Sequence, residues 1–101
     1  MHQRIIRYRV KPGQEDANAE LARAVYAELH ELAPDGLSYA TFRLDEDPLS
    51  FVHVVRSLHN PNPLLAVRAF GEFQAGITER CDQQPVALDL TEVGSYRFFT
   101  G

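Results

Sequence analysis

"LSYATFRLDEDPLSFVHVVR", residues 37–56, decides how the chain folds. In 37–44, Ala40, Phe42 and Leu44 alternate with Tyr39, Thr41 and Arg43; in 50–56, Val52 and Val54 alternate with Phe51, His53 and Val55. A period of two belongs to an extended strand, whose successive side chains point to opposite faces. Between the arms stands "DEDPL", a turn rich in acids with a proline, so the stretch predicts a hairpin. Each arm has a greasier face and a more mixed one.

Upstream, "RIIRYRV" (4–10) predicts another strand, with Ile6, Tyr8 and Val10 on one face and Ile5, Arg7 and Arg9 on the other. "KPGQ" breaks it. From about Gln14 to Ala33 the apolar residues Ala17, Leu21, Val25, Leu29 and Leu32 recur at steps of three and four, the stripe of an amphipathic helix. Glu15 and Asp16 suit the positive end of its dipole, and "APDG" stops it. Downstream, "HNPN" offers Asn62 as N-cap and Pro63 as first helical residue of a second helix running to about Asp82, with the stripe Ala66, Phe70, Phe73, Ile77 and Cys81. "QQP" ends that helix, and "VALDLTEVGSYRFF" (86–99) predicts a last strand, bent at Gly94.

The order β-α-β-β-α-β is the ferredoxin-like α+β pattern. Right-handed crossovers place both helices on one face of a four-stranded antiparallel sheet with the first and third strands in its centre. The uncovered face is expected to carry Phe51 and Val55, joined by Tyr96, Phe98 and Phe99 of the last strand. An apolar area of that kind marks an interface, and the expectation is a homodimer joined through the sheet face and the C-terminal strand.

Composition narrows the function classes. At 101 residues the chain is read as one domain, 1–101, and with 45% hydrophobic and 24% charged residues it has the make-up of a folded protein. A net charge of −4 argues against nucleic acid, which requires a concentrated excess of Lys and Arg. The single cysteine, Cys81, permits neither an intrachain disulfide nor a multi-cysteine metal site, and fits a reducing cytosol. No stretch reads as a secretory leader or a membrane span, so a soluble cytoplasmic protein is expected.

The opening strand with "KPGQEDANAE", the hairpin "YATFRLDEDPLSFVHVV", the helix "AFGEFQAGITERC" and the closing "VGSYRFF" together resemble the dimeric α/β-barrel proteins, and among them the antibiotic biosynthesis monooxygenase-like group. The resemblance covers nearly all of residues 4–99. It implies two ferredoxin-like subunits with stacked sheets, and activities such as cofactor-free oxygenation of quinol-like phenols, haem degradation, or lactone and aldehyde processing. The chain has no tryptophan, so no role of an indole carries over, and its second helix has no histidine to ligate haem iron.

Within that frame His53 is the candidate base, placed by alternation with Phe51 and Val55 on the face turned away from the helices. Its ordinary pKa suits removal of a phenolic proton, and Arg7 or Arg9 are the candidate holders of the resulting anion. Tyr39, Thr41 and Phe51 are the candidate substrate contacts, a small aromatic molecule the candidate ligand, and no metal or cofactor is expected. The competing reading makes His53 a hydrogen-bonded polar residue of the dimer interface and the protein a non-catalytic binding or structural barrel. An RNA-recognition domain is a poor fit because "SFVHVVRS" lacks glycine, and a metal chaperone because no Cys-x-x-Cys exists.

Overall fold

A computed structural model of the chain describes residues 2–98. Strand β1 (His2–Val10) leads into helix α1 (Glu15–Leu32); strands β2 (Leu37–Arg43) and β3 (Ser50–Ser57) form the hairpin. A 3-10 turn (Pro63–Ala66), helix α2 (Arg68–Ala75), a single turn α3 (Ile77–Arg80) and strand β4 (Cys81–Asp89) follow. The four strands lie in the order β2-β3-β1-β4, each neighbouring pair antiparallel. The ferredoxin-like prediction is met.

Strand alternation holds, but the face assigned to it is reversed. Along β3 the residues Phe51, His53, Val55 and Ser57 are buried. They share a face with Tyr8 and Val10 of β1, and that face packs against the helices with Val25, Leu64, Val67 and Phe73 in one core. The open face carries Ile5, Arg7, Ala40, Phe42, Val52, Val54, Val86 and Leu88 instead. Phe42, Val86 and Leu88 are about half exposed there, so an apolar open face exists with different residues on it.

Each helix departs from its predicted stripe. In α1 the buried residues are Asn18, Ala22 and Val25, whereas Ala17 and Leu32 are exposed. Side chain Oδ1 of Asn62 accepts from Leu64 N at 2.9 Å, as its N-cap role requires, but only for the 3-10 turn. The chain is extended at Val67 and the helix restarts at Arg68. The cap of α2 comes from the other helix: the carboxylate of Glu28 accepts from the amides of Arg68 and Ala69 at 3.0 and 2.9 Å, a negative charge on a helix N-terminus that also ties α1 to α2.

Beyond Gly76 the second helix survives for one turn only, and Cys81, read as its last stripe residue, is the buried first residue of β4. Residues 81–89 pair with β1, where sequence reading placed the end of a helix and the stop signal "QQP". Pro85 is accommodated because β4 is an edge strand whose register shifts between the Arg7 and Arg9 pairings, and an edge bulge does not need the missing N–H. Residues 90–98 form no strand, with Val93 and Tyr96 exposed; Phe99 lies outside the described residues.

Candidate functional site

His53 stands at the middle of the helix-facing sheet surface, opposite Ile6 on β1 and Thr41 on β2. Only 3% of it is exposed. Its Nε2 lies 2.7 Å from the hydroxyl of Tyr8; its Nδ1 lies 2.6 Å from the hydroxyl of Tyr39 and 3.1 Å from Oγ1 of Thr41. Phe73 closes over the imidazole with ring centroids 5.3 Å apart. Removal from water disfavours the imidazolium and lowers the His53 pKa to about 4, so the ring is neutral near pH 7.

The network extends both ways. Beyond Tyr8, the amide nitrogen of Asn18 donates to the phenol oxygen at 2.8 Å, and Oδ1 of Asn18 accepts from Nε of Arg80 at 3.2 Å. Beyond Thr41, the hydroxyl of Tyr26 is 2.7 Å away, and the Tyr26 ring stacks on Tyr39 at 5.4 Å. Burial raises all three phenols, Tyr26 to about 12 and Tyr8 and Tyr39 further, so each remains protonated. Among the described residues no buried side-chain nitrogen or oxygen lacks a partner. A fully satisfied polar cluster of this kind rigidifies its surroundings, where a half-satisfied one would weaken them.

A cavity of about 470 Å³ opens above this cluster between the sheet and the segment running from the 3-10 turn through α2 to α3. Tyr8, Tyr39 and His53 supply its polar floor, Leu64, Phe70, Phe73 and Ile77 its apolar walls, and Arg4, Asn60 and Gln74 part of its rim. The volume and the mostly apolar lining with a few polar groups fall in the range of small-molecule sites. A smaller cavity of about 280 Å³ lies on the far side of Thr41, against α1, and is lined by Tyr26, Thr41 and Phe51 among others.

The predicted constellation is therefore divided. His53, Tyr39 and Thr41 come together; Phe51 is buried under Tyr8, stacked at 5.6 Å, and faces the smaller cavity. Arg7 and Arg9 do not reach His53, because odd-numbered residues of β1 point to the open face while Ile6 and Tyr8 point inward. Arg9 instead ties the hairpin turn to β4, donating from Nε to Asp47 at 3.0 Å and from Nη1 to Asp82. The arginine that does line the cavity is Arg4, paired with Asp89 at 3.0 Å. Tyr8, Asn18, Tyr26 and Arg80 were not singled out. A polar residue in the buried phase of α1, Asn18 four residues before Ala22 and seven before Val25, was the signal available in the sequence.

Comparison with solved structures places this arrangement. A crystal structure named as an antibiotic biosynthesis monooxygenase superposes with a TM-score of 0.76 at 22% identity, covering 93% of this chain and 100% of that one. A Nitrosomonas europaea protein provisionally named for the same activity gives 0.77 at 12% identity with the same coverage. The fold is that of the antibiotic biosynthesis monooxygenases. A Pseudomonas aeruginosa protein also shares this antibiotic biosynthesis monooxygenase-like fold, with a TM-score of 0.75 at 17% identity over 92% of this chain and 94% of its own. No family model and no curated protein matches the sequence. Among the described residues no helix is long and apolar enough to cross a membrane.

Proposed function

We propose that the protein binds an electron-rich phenol, of the quinol or polycyclic type, in the cavity above His53 and oxidises it with dioxygen without a metal or cofactor. The observation that carries this reading is an apolar cavity of about 470 Å³ whose floor holds one hydrogen-bonding patch, Tyr39 backed by His53. The names of the fold's neighbours point the same way. The reaction needs the phenolate, which gives an electron to dioxygen; the two radicals combine at a ring carbon, and loss of water leaves a quinone. One oxygen atom stays on the ring and the other departs as water with the phenolic hydrogen and the ring hydrogen it displaces.

What remains for the chain is to hold the ring between Phe70 and Phe73, keep water out, and stabilise the phenolate oxygen. Tyr39 is the group placed for the last task. His53 acts through it, since both imidazole nitrogens are already engaged within the protein. Oxygen uptake by metal-stripped protein over a panel of hydroquinones and naphthoquinols tests this reading, with Tyr39→Phe alongside. Uptake above the spontaneous rate is expected, falling by about 10- to 100-fold in the variant, the loss that goes with one hydrogen bond to a developing anion. A rate no different from buffer across the panel sinks the oxygenase reading. Calorimetric binding without uptake would leave a non-catalytic binding protein, a reading favoured by the neutral, fully partnered state of His53.

The partner we propose is a second copy of the chain, stacked on the open sheet face. Phe42, Val86 and Leu88 are 54%, 47% and 47% exposed on that face, around a centre of Val52 and Val54. Such a contiguous apolar area is uncommon on a monomer. Light scattering behind size exclusion is expected to give twice the chain mass, and Val54→Lys to give the single chain mass. A wild-type monomer at micromolar concentration would rule the stacked pair out.

A further inference from the structure

Arg80 is buried, 9% exposed, and among the described residues no carboxylate lies within ion-pair distance of it. An unpaired buried cation is costly, so its contacts require an account. Its Nη2 donates to the carbonyl of Phe73 at 2.7 Å, near the negative end of α2, and the guanidinium lies 5.1 Å from the Phe73 ring centroid. Its Nε donates to Asn18. None of these contacts faces solvent, and they place a fixed positive charge at one end of a chain of hydrogen bonds that runs through Asn18 and Tyr8 to His53.

We propose that the Arg80–Asn18 pair positions the proton of His53, holding the imidazole in its Nδ1–H tautomer. The argument is a count of donors. A guanidinium only donates, so the side of Asn18 that meets Arg80 is its carbonyl oxygen, and the amide nitrogen is turned to Tyr8. That nitrogen also only donates, so the Tyr8 oxygen accepts from it. The hydroxyl proton of Tyr8 then has one acceptor among its hydrogen-bond partners, Nε2 of His53 at 2.7 Å. The neutral imidazole carries a single proton, left for Nδ1, which aims it at Tyr39 and Thr41.

A consequence follows at the cavity. Because Nδ1–H donates to the Tyr39 oxygen, the proton of Tyr39 is directed away from His53, toward neighbouring Thr41 or the cavity, and that proton is what Tyr39 offers a ligand. This step rests on the reading of the cavity as a phenol site, and it deepens that reading: the ligand oxygen at Tyr39 is an acceptor, the phenolate or keto oxygen of an already ionised or tautomerised substrate. The histidine has no free lone pair with which to take a proton from the bound molecule. Arg80, far from touching the ligand, is a positioning residue.

The test needs no substrate, so its outcome is separate from that of the oxygen-uptake experiment. In protein labelled with nitrogen-15 histidine, the ring signals of His53, assigned by their loss in His53→Gln, report which nitrogen carries the proton. Near pH 7 the wild type is expected to show a pyrrole-like Nδ1 and a pyridine-like Nε2. Asn18→Asp keeps the size of the side chain and its bond to Arg80 but turns a donor into an acceptor. The Tyr8 proton then goes to the carboxylate, and His53 is expected to swap to the Nε2–H form. Arg80→Met frees Asn18 to turn and is expected to give a mixture of the two tautomers. A wild type with its proton on Nε2, an Asn18→Asp protein with an unchanged pattern, or a folded Arg80→Met protein with the pure wild-type pattern overturns the proposal.

Discussion

Lowering the pH from 7 to 4 is expected to remove about 3 kcal/mol of folding stability through His53 alone, the energy that corresponds to a pKa moved from 6.5 to about 4. The direction follows from proton uptake. Below its ordinary value the histidine of the unfolded chain is protonated, while the buried ring in the folded chain stays neutral until about pH 4. Between those values the unfolded state binds more protons, so stability rises with pH through this window and is lost as the pH falls. Above pH 6.5 neither state carries the proton and the contribution is flat. Against a total of about 5–15 kcal/mol for a domain of ordinary stability, the loss is large.

Denaturant midpoints of the wild type and His53→Gln at pH 7, 5.5 and 4 measure it. Asp47, whose carboxyl is held below its ordinary range first by the Ser50 hydroxyl and then by Arg9, also loses stabilisation in acid. It does so equally in both proteins and drops out of their difference. The wild-type curve should fall more steeply than that of the variant. Parallel curves would mean that water reaches the imidazole and that the buried neutral network is not how the folded protein holds His53.

The reversal of the sheet's faces shows where sequence patterning runs out. On β3 both alternating sets are largely apolar, Val52 and Val54 against Phe51, His53 and Val55, so a period of two fixes which residues travel together without fixing which set goes inward. The set that carries the histidine, expected to face away from the helices with Phe51 and Val55, faces them. Burial of His53 depends on three partners from two other strands, Tyr8 on β1 and Tyr39 and Thr41 on β2, and the register that brings them together is a property of the paired sheet. The element order was legible because it needs only local signals: Pro12 and Gly13 after β1, the acidic turn, and Asn62 before a proline. The end of the second helix was not. An apolar stripe cannot reveal that the chain leaves the helix at Gly76 and that Cys81 continues the same buried layer as a strand residue. Glu28 capping α2 from forty residues away is equally invisible to a local reading.

Phe73→Ala is expected to destabilise the protein by about 3–5 kcal/mol, the range for truncating a buried phenylalanine. Phe73 is 5% exposed and has three neighbours at stake: its ring lies 5.3 Å from His53, 6.3 Å edge-on from Tyr8, and beneath the Arg80 guanidinium. Part of the cost is lost contact and part is the void. The void here joins the cavity above His53, however, and that adds a second effect of opposite consequence for pH. With the wall opened, water approaches the imidazole, desolvation weakens, and the His53 pKa climbs back toward 6.5. The variant should therefore start less stable at pH 7 and lose less between pH 7 and 4 than the wild type does. Phe73→Leu, which fills most of the space, should cost less and keep the steep acid limb. A Phe73→Ala protein whose stability falls with acid as steeply as the wild type's would show that the depressed basicity of His53 arises from the sheet and Tyr8 alone, and that the aromatic lid over the ring contributes packing but not dryness.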